Sequence, residues 1–277
     1  MHHMELTRSS KQLDQLEASL HAAPAGSYAE AVSPALHARC TLQRASLASW
    51  ERRYDAVELA ARDAIQMLEE RGSPKDFWPP HCWELATCRR LVVVAQCAAS
   101  GRAASRALGE LQALWPLLAD ASPASSVTLG RLKEDMKTLQ LEVEVVVDVD
   151  QYCSEKCGVS SSTLQAFLRR AQALAQDATN TSRTRLQLLQ AKLILLEELP
   201  WFVAGGARRE AIQKAYDWLM SVKAFYTKWC TTFATSRWET QVLPAEAICL
   251  ALMDDNEGAL QLAQRWAEVL PEAAAPL

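Results

Sequence analysis

Near its carboxyl-terminal end the chain repeats itself, with AIQKAYDW at residues 211–218 and ALQLAQRW at residues 259–266. Each stretch has an alanine, an aliphatic residue and a glutamine, followed by a second alanine and a tryptophan at the same offsets. Self-similarity at a fixed interval is the signature of repeat architectures, and alanine lets two helices cross closely. The two stretches therefore predict stacked helical units.

Shorter matches extend the repeat towards the amino-terminal end. Ala56-Val57 and Ala107-Leu108 resemble Ala211-Ile212 and Ala259-Leu260. The steps are 51 residues from Ala56 to Ala107 and 48 from Ala211 to Ala259, whereas the middle gap of 104 residues is about twice as long. We expect one divergent unit in that gap, at a helix over residues 164–174.

Composition supports an all-helical protein. The 277 residues are 49% hydrophobic and include only 9 glycines and 11 prolines, with abundant good helix formers. We predict an all-α fold of stacked antiparallel helical hairpins with about 10–13 helices. It forms a single helical-repeat domain over residues 1–277, with a division into sub-lobes 5–157 and 158–271 left open and a frayed tail at 272–277.

Hydrophobic spacing locates most of these helices. Helices are expected over the ranges 9–21, 27–50, 51–72, 82–99 and 102–119. The run from Leu129 to Val146 has a heptad-like spacing that predicts one long helix, although Leu141 to Val145 alternates like a strand.

Polar residues, glycine and proline predict where the later helices begin and end. Ser160-Ser161-Ser162 is expected to cap a helix, and Asn180 to Thr184 is expected to be a turn before a buried, leucine-rich helix over 186–199. Breaks are expected at Pro200 and before Pro244. A final hairpin would then span 245–270.

Two segments resemble tetratricopeptide-like helical repeats, which use small residues where paired helices cross. They are Tyr54-Asp55-Ala56-Val57, and Asn256 to Leu260 followed by Pro271. The resemblance implies a superhelical surface that binds proteins or peptides, and it implies no chemistry. Regular units of that family repeat at about 34 residues, whereas these segments repeat at about 50, so an irregular helical bundle is the alternative architecture.

Charge and hydropathy restrict the partners and the location. The formal net charge of −4 and the pI near 5.8 give no basic footprint for nucleic acid. No stretch reaches the length of a membrane span, and Met1 to Leu6 lacks the apolar core of a secretory signal. The eight cysteines are therefore expected to be reduced, and the protein to be intracellular, either cytoplasmic or nuclear.

Few residues suggest chemistry. Cys153 and Cys157, four residues apart, could hold two corners of a zinc site, but the other ligands are missing. Carboxylates that could serve a divalent cation or acid–base catalysis are Asp148, Asp150, Glu155 and the group Asp254-Asp255-Asn256-Glu257. This last group precedes Gly258 in the expected turn of the final hairpin, where aspartate and asparagine are common without any catalytic role. We predict no cofactor and no catalytic residue.

Aromatic residues are a better guide to function, because exposed aromatics anchor protein interfaces. The chain has nine tryptophans, and the segment 223–233 mixes aromatic and basic residues. The candidate partner-binding residues are Phe225, Tyr226, Lys228, Trp229, Phe233, Trp238, Trp78, Trp83 and Trp201.

Together these patterns predict a non-catalytic scaffold or adaptor that binds a protein or a peptide, with a helical partner left open, within a hetero-complex rather than a homo-oligomer. The alternative is an all-α enzyme or small-ligand-binding protein whose carboxylates converge in a pocket between helices.

Overall fold

A computed structural model describes residues 11–19, 22, 28–50, 53–69, 80–99, 101–119, 127–154, 160–203, 208–229 and 232–269, with only the backbone described at some helix ends. The helices are α1 (residues 11–19), α2 (Tyr28–Trp50), α3 (Tyr54–Glu69), α4 (Pro80–Ala99), α5 (Gly101–Ala119), α6 (Val127–Ser154), α7 (Ser161–Asp177), α8 (Asn180–Val203), α9 (Arg209–Trp229), α10 (Thr232–Leu252) and α11 (Asn256–Val269). The described residues contain no strand, so the all-α prediction is confirmed.

The chain divides into two compact units, Met1–Glu155 and Lys156–Leu277. In the first unit each helix from α2 to α6 packs against the next, and α4 also contacts α2 and α6. The odd-numbered helices α3 and α5 are joined by an ion pair between Arg62 and Glu110. The helices of this unit therefore form two layers, with even-numbered helices in one and odd-numbered helices in the other.

Helices α3 and α4 run antiparallel. Glu58, near the start of α3, accepts a hydrogen bond from Gln96, near the end of α4. Glu69, at the end of α3, pairs instead with Arg89 in the middle of α4. The contacts thus run in opposite directions along the two helices, as the predicted hairpin requires.

The core of the first unit depends on small residues as well as large ones. On α3 the inward face is formed by Val57, Ala61, Ala64, Ile65 and Leu68, all buried. These residues pack with buried residues of α2 and α4 in one cluster, while α4, α5 and α6 share a second cluster. The alanines allow the helices to approach closely, and each large aliphatic side chain contributes about 1.5–3 kcal/mol on burial.

The second unit repeats the arrangement with α7 to α11. Each helix packs against the next, and α8 also contacts α10. Its largest fully buried side chains are Leu186, Leu193, Ile212, Leu219 and Leu243. The leucine-rich part of α8 is buried around most of its circumference, as its sequence predicts.

The repeat-like segments occupy equivalent places in the hairpins. They begin at Ala56, Ala107, Ala211 and Ala259, and thus all lie in odd-numbered helices: α3, α5, α9 and α11. Of the two other odd-numbered helices, α1 precedes the first repeat-like segment, and α7 occupies the slot predicted for the divergent unit. Equivalence in sequence does not extend to burial, because α11 has no buried residue.

Several predicted helix boundaries are wrong. Pro200 lies inside α8 and Pro244 lies inside α10, so neither breaks its helix, and the last hairpin begins at Thr232. A proline within a helix costs about 3 kcal/mol. Burial of the neighbouring Leu243 and Ala245 offsets that cost in α10. The predicted turn at 180–184 is also wrong, because these residues form the first turn of α8.

Other local predictions are confirmed. Ser160 caps α7, with its hydroxyl accepting a hydrogen bond from the backbone N–H of Thr163 at 3.2 Å. The stretch with competing helical and strand patterns is helical throughout α6, and Met136, Leu139 and Val143 of its stripe are buried. Val146 is exposed, whereas Leu141 and Val145 are buried, so the buried face differs from the predicted stripe.

Buried carboxylates connect neighbouring helices within each unit. In each case a glutamate on an even-numbered helix is buried, and its cationic partner is partly exposed. These pairs are Arg39–Glu84, Arg208–Glu198, Lys223–Glu246 and Arg265–Glu239. The exposed cation remains hydrated, so only the carboxylate bears the full cost of leaving water.

Candidate interaction surface

The predicted aromatic segment lies at the end of α9. Phe225 and Tyr226 are partly exposed and pack edge to face, with ring centroids 5.6 Å apart and an interplanar angle of 79°. Lys228 is exposed in the last turn. Lys223 is used inside the protein, because its amine lies 3.0 and 3.1 Å from the two carboxylate oxygens of Glu246.

The other predicted interface residues lie outside the described residues, at least in their side chains. The backbone alone is described for Trp83, Trp201, Trp229, Phe233 and Trp238. Trp78 lies in the segment 70–79, which is outside the description altogether. The structure thus brings together Phe225, Tyr226 and Lys228, and the wider surface stays a prediction.

The acidic group at the end of α10 forms the turn into α11. Asp254 has a positive φ of 69° and pairs with Arg209 at 3.0 Å. The Asp255 carboxylate accepts a hydrogen bond from the backbone N–H of Gly258 at 3.0 Å, which caps α11. These two acids are occupied by local structure. Asp148 is half-buried in α6, and the side chains of Asp150 and Glu155 lie outside the described residues.

Metal and thiol chemistry find little support in the part of the chain that is described. It contains no group of three histidine, cysteine, aspartate or glutamate side chains that could hold a metal ion. The side chain of Cys153 and the whole of Cys157 lie outside it. The four cysteines whose side chains are described, Cys40, Cys88, Cys97 and Cys249, are free thiols. Burial raises the pKa of the last three to about 12, so they remain protonated at neutral pH.

A solvent-open depression of about 470 Å³ lies where α3, α4 and α5 meet, and we call it the α3–α5 depression. Its lining consists of Arg62, Ile65, Gln66, Glu69, Arg89 and Glu110. Ile65 belongs to the buried face of α3, and the other lining residues are polar or charged. The depression therefore combines one apolar side chain with a charged rim.

The rim is held by ion pairs that cross three helices. Glu110 of α5 accepts hydrogen bonds from Arg62 of α3 at 3.1 Å and from Arg89 of α4 at 3.0 Å. The second terminal nitrogen of Arg89 donates to Glu69 at 2.7 Å. Because Glu110 joins both arginines, the orientation of α3, α4 and α5 fixes the shape of the rim.

Glu58 extends this network along α3. It accepts hydrogen bonds from Gln96 at 2.9 Å and from Arg62 at 2.9 and 3.0 Å. Burial by itself would raise the pKa of Glu58, but the hydrogen bonds from Gln96 and Arg62 and the positive charge of Arg62 lower it overall. Glu58 is therefore ionised at neutral pH.

Beside the depression, α3 presents a row of exposed residues that alternates acidic and apolar side chains. The row is Asp55, Leu59, Asp63 and Met67, spaced by four residues, and we call it the α3 ridge. Leu59 is 65% exposed and Met67 is 36% exposed. Val57 and Ala61 lie on the inward face of α3, so Leu59, two residues from each, lies on the outer side of the helix.

One local signal in the sequence points to this surface. Glu58 and Arg62 are four residues apart, which is the spacing of an ion pair on a helix. The pairing of Arg62 with Glu110 spans 48 positions and leaves no local signal, because it depends on the stacking of α3 beside α5. The sequence alone therefore does not indicate the depression, which depends on how α3, α4 and α5 pack.

Comparison with known proteins gives this surface no precedent, since no family model, curated protein or solved structure matches the chain. Among the described helices, none has both the length and the apolar composition needed to cross a membrane.

Proposed function

We propose that this protein is a non-catalytic helical scaffold, similar to tetratricopeptide-like proteins, that binds another protein or a peptide as a subunit of an intracellular hetero-complex. The observation that carries this proposal is the outer surface of α3. There two exposed apolar side chains, Leu59 and Met67, lie beside a depression with a charged rim.

This combination matches the anatomy of protein interfaces. Such interfaces have apolar contacts surrounded by a polar rim, and arginine is among the residues that contribute most to binding. The rim of the α3–α5 depression contains Arg62 and Arg89, each already oriented by a carboxylate. A partner would therefore meet side chains that need little further ordering.

Charge favours a protein partner over nucleic acid. The chain has a formal net charge of −4, and α3 itself carries four acids and one arginine. Phosphate groups would be repelled by this helix, whereas a basic protein segment would be attracted. The aromatic pair Phe225 and Tyr226, with Lys228, provides a second candidate surface in the other unit.

A pocket enzyme is the weaker proposal. It requires carboxylates that converge on a substrate, whereas Asp254 and Asp255 are occupied in shaping the turn before α11. No specific observation favours catalysis over binding.

The experiment is purification of native complexes under mild conditions, with the tagged chain as bait and mass-spectrometric identification. Baits would be the wild type, Leu59→Ser/Asp63→Lys, Phe225→Ala/Tyr226→Ala, and a control on α11, Leu260→Ser/Glu268→Lys. The proposal predicts a stoichiometric partner that the wild type and the control retain and that at least one surface variant loses while still folded. A wild-type chain that is recovered alone would contradict it.

A further inference from the structure

We infer that the α3 ridge, together with the α3–α5 depression, binds a basic amphipathic helix of a partner protein. This inference rests on the proposed function and specifies the surface and the chemistry of the partner.

The first argument is that the ridge carries negative charge that takes no part in the ion pairs described for α3. Within α3 the ion pairs run through Glu58, Arg62 and Glu69. Asp63, in the middle of the ridge, takes no part in those pairs and is exposed. Lysine or arginine of a partner could therefore pair with Asp63 without breaking a contact that joins the helices.

The second argument is geometric. Leu59 and Met67 are eight residues apart, so they stand about 12 Å apart along the helix axis. Apolar residues seven or eight positions apart on a partner helix have the same spacing, and a basic residue between them would lie opposite Asp63. Methionine is flexible, so Met67 can adapt to apolar side chains of different shape.

The third argument concerns the depression. Arg62 and Gln66 line it, and both lie three or four residues from Leu59 or Asp63, which makes them neighbours of the ridge on the same helix. An apolar side chain of a helix lying on the ridge would reach the depression and cover Ile65. The glutamates of the rim, Glu69 and Glu110, are already paired with Arg62 and Arg89, so the partner's basic residues would pair with Asp63.

The same charges argue against a second copy of this chain as the occupant. Two α3 ridges placed together would set acidic residues against acidic residues, and like charges at an interface oppose binding. An acidic peptide is disfavoured for the same reason.

A direct test measures fluorescence anisotropy with two labelled amphipathic peptides of equal length, about five helical turns. One peptide is built from lysine and leucine, and the other from glutamate and leucine. The proteins are the wild type, Leu59→Ser/Asp63→Lys, and Leu260→Ser/Glu268→Lys. The control is matched, because Leu260 is 60% exposed and each double variant replaces one exposed leucine and reverses one exposed acid.

We expect the wild type and the control to bind the lysine–leucine peptide equally, and Leu59→Ser/Asp63→Lys to bind it at least about tenfold more weakly. The glutamate–leucine peptide should bind the wild type at least about tenfold more weakly than the lysine–leucine peptide. Circular dichroism of each variant checks that it is folded. All substitutions are at exposed positions, where changes of stability are about 0.5 kcal/mol or less.

Three outcomes would overturn the inference. They are equal binding of the lysine–leucine peptide by the wild type and the ridge variant, an equal loss in the control, and equal binding of the two peptides. If the bait experiment recovers a partner that the ridge variant retains and Phe225→Ala/Tyr226→Ala loses, the scaffold proposal stands and the α3 surface is wrong. A wild-type chain that is recovered without any partner would instead contradict the scaffold proposal itself.

Discussion

Replacing Arg208 with alanine should destabilise the second unit strongly, although this arginine is 59% exposed. Its partner Glu198 is fully buried and accepts hydrogen bonds from the Arg208 backbone N–H at 2.8 Å and from its Nε at 2.7 Å. Among the hydrogen bonds of the described residues, alanine would leave the buried carboxylate only the one from the backbone N–H. Removing one partner of a buried ion pair costs about 3–5 kcal/mol, and water entering at the exposed side reduces this to about 2–4 kcal/mol.

The reciprocal change should cost less. Glu198→Gln keeps the shape of the side chain but only one of its two acceptor oxygens, so one hydrogen bond from Arg208 is lost while Arg208 can still be hydrated. We expect a loss of about 1–2 kcal/mol. The next residue supplies a control, because Arg209 is 78% exposed and pairs with an exposed Asp254. Arg209→Ala should change the stability by less than about 1 kcal/mol.

Urea unfolding followed by far-ultraviolet circular dichroism measures these differences, with equal slopes required for comparison. We expect the loss in the free energy of unfolding to be largest for Arg208→Ala, smaller for Glu198→Gln and smallest for Arg209→Ala. The reasoning would be refuted if Arg208→Ala cost no more than Arg209→Ala, since the buried carboxylate would then not depend on its cation. A larger loss for Glu198→Gln than for Arg208→Ala would refute the proposed asymmetry between the two partners.

Two further predictions concern the thiols and a helix. Burial raises the pKa of Cys88 and Cys249 to about 12, so near neutral pH an alkylating reagent should modify these cysteines far more slowly in native protein than in urea-unfolded protein. Peptide mass spectrometry measures both rates, and equal rates in native and unfolded protein would contradict the prediction. Pro244→Ala should stabilise the protein by about 1–3 kcal/mol, because it restores a backbone N–H within α10, while the unfolded chain regains the freedom that proline removes. A lower midpoint of urea unfolding would contradict that expectation.

The fold could be predicted from sequence wherever a local rule controlled it. Ser160 begins a helix because its side chain satisfies a backbone N–H of the first turn, and that effect needs only neighbouring residues. Pro200 and Pro244 lie inside helices although a local rule, helix breaking by proline, predicts breaks there. In α10 the burial of Leu243 and Ala245 outweighs that rule. Propensity is a local quantity, and burial against another helix depends on residues far away in the chain.

The candidate surface was less accessible to sequence analysis for the same reason. Leu59 and Ile65 belong to one helix and are both apolar, yet one is exposed and the other buried. Assigning them requires knowing which face of α3 meets α2 and α4. The contacts of Glu110 with Arg62 and Arg89 connect residues 48 and 21 positions apart, so no window along the sequence contains them.

The alternation of even- and odd-numbered helices gives each helix a parity, and the parity limits how such a chain can change in length. Inserting or deleting one helix would exchange the layers for every helix that follows in the same unit, placing outward faces such as that of α3 inside. Inserting or deleting two consecutive helices would leave the parity unchanged. A step of 51 or 48 residues between related segments is therefore the natural unit of growth for this architecture.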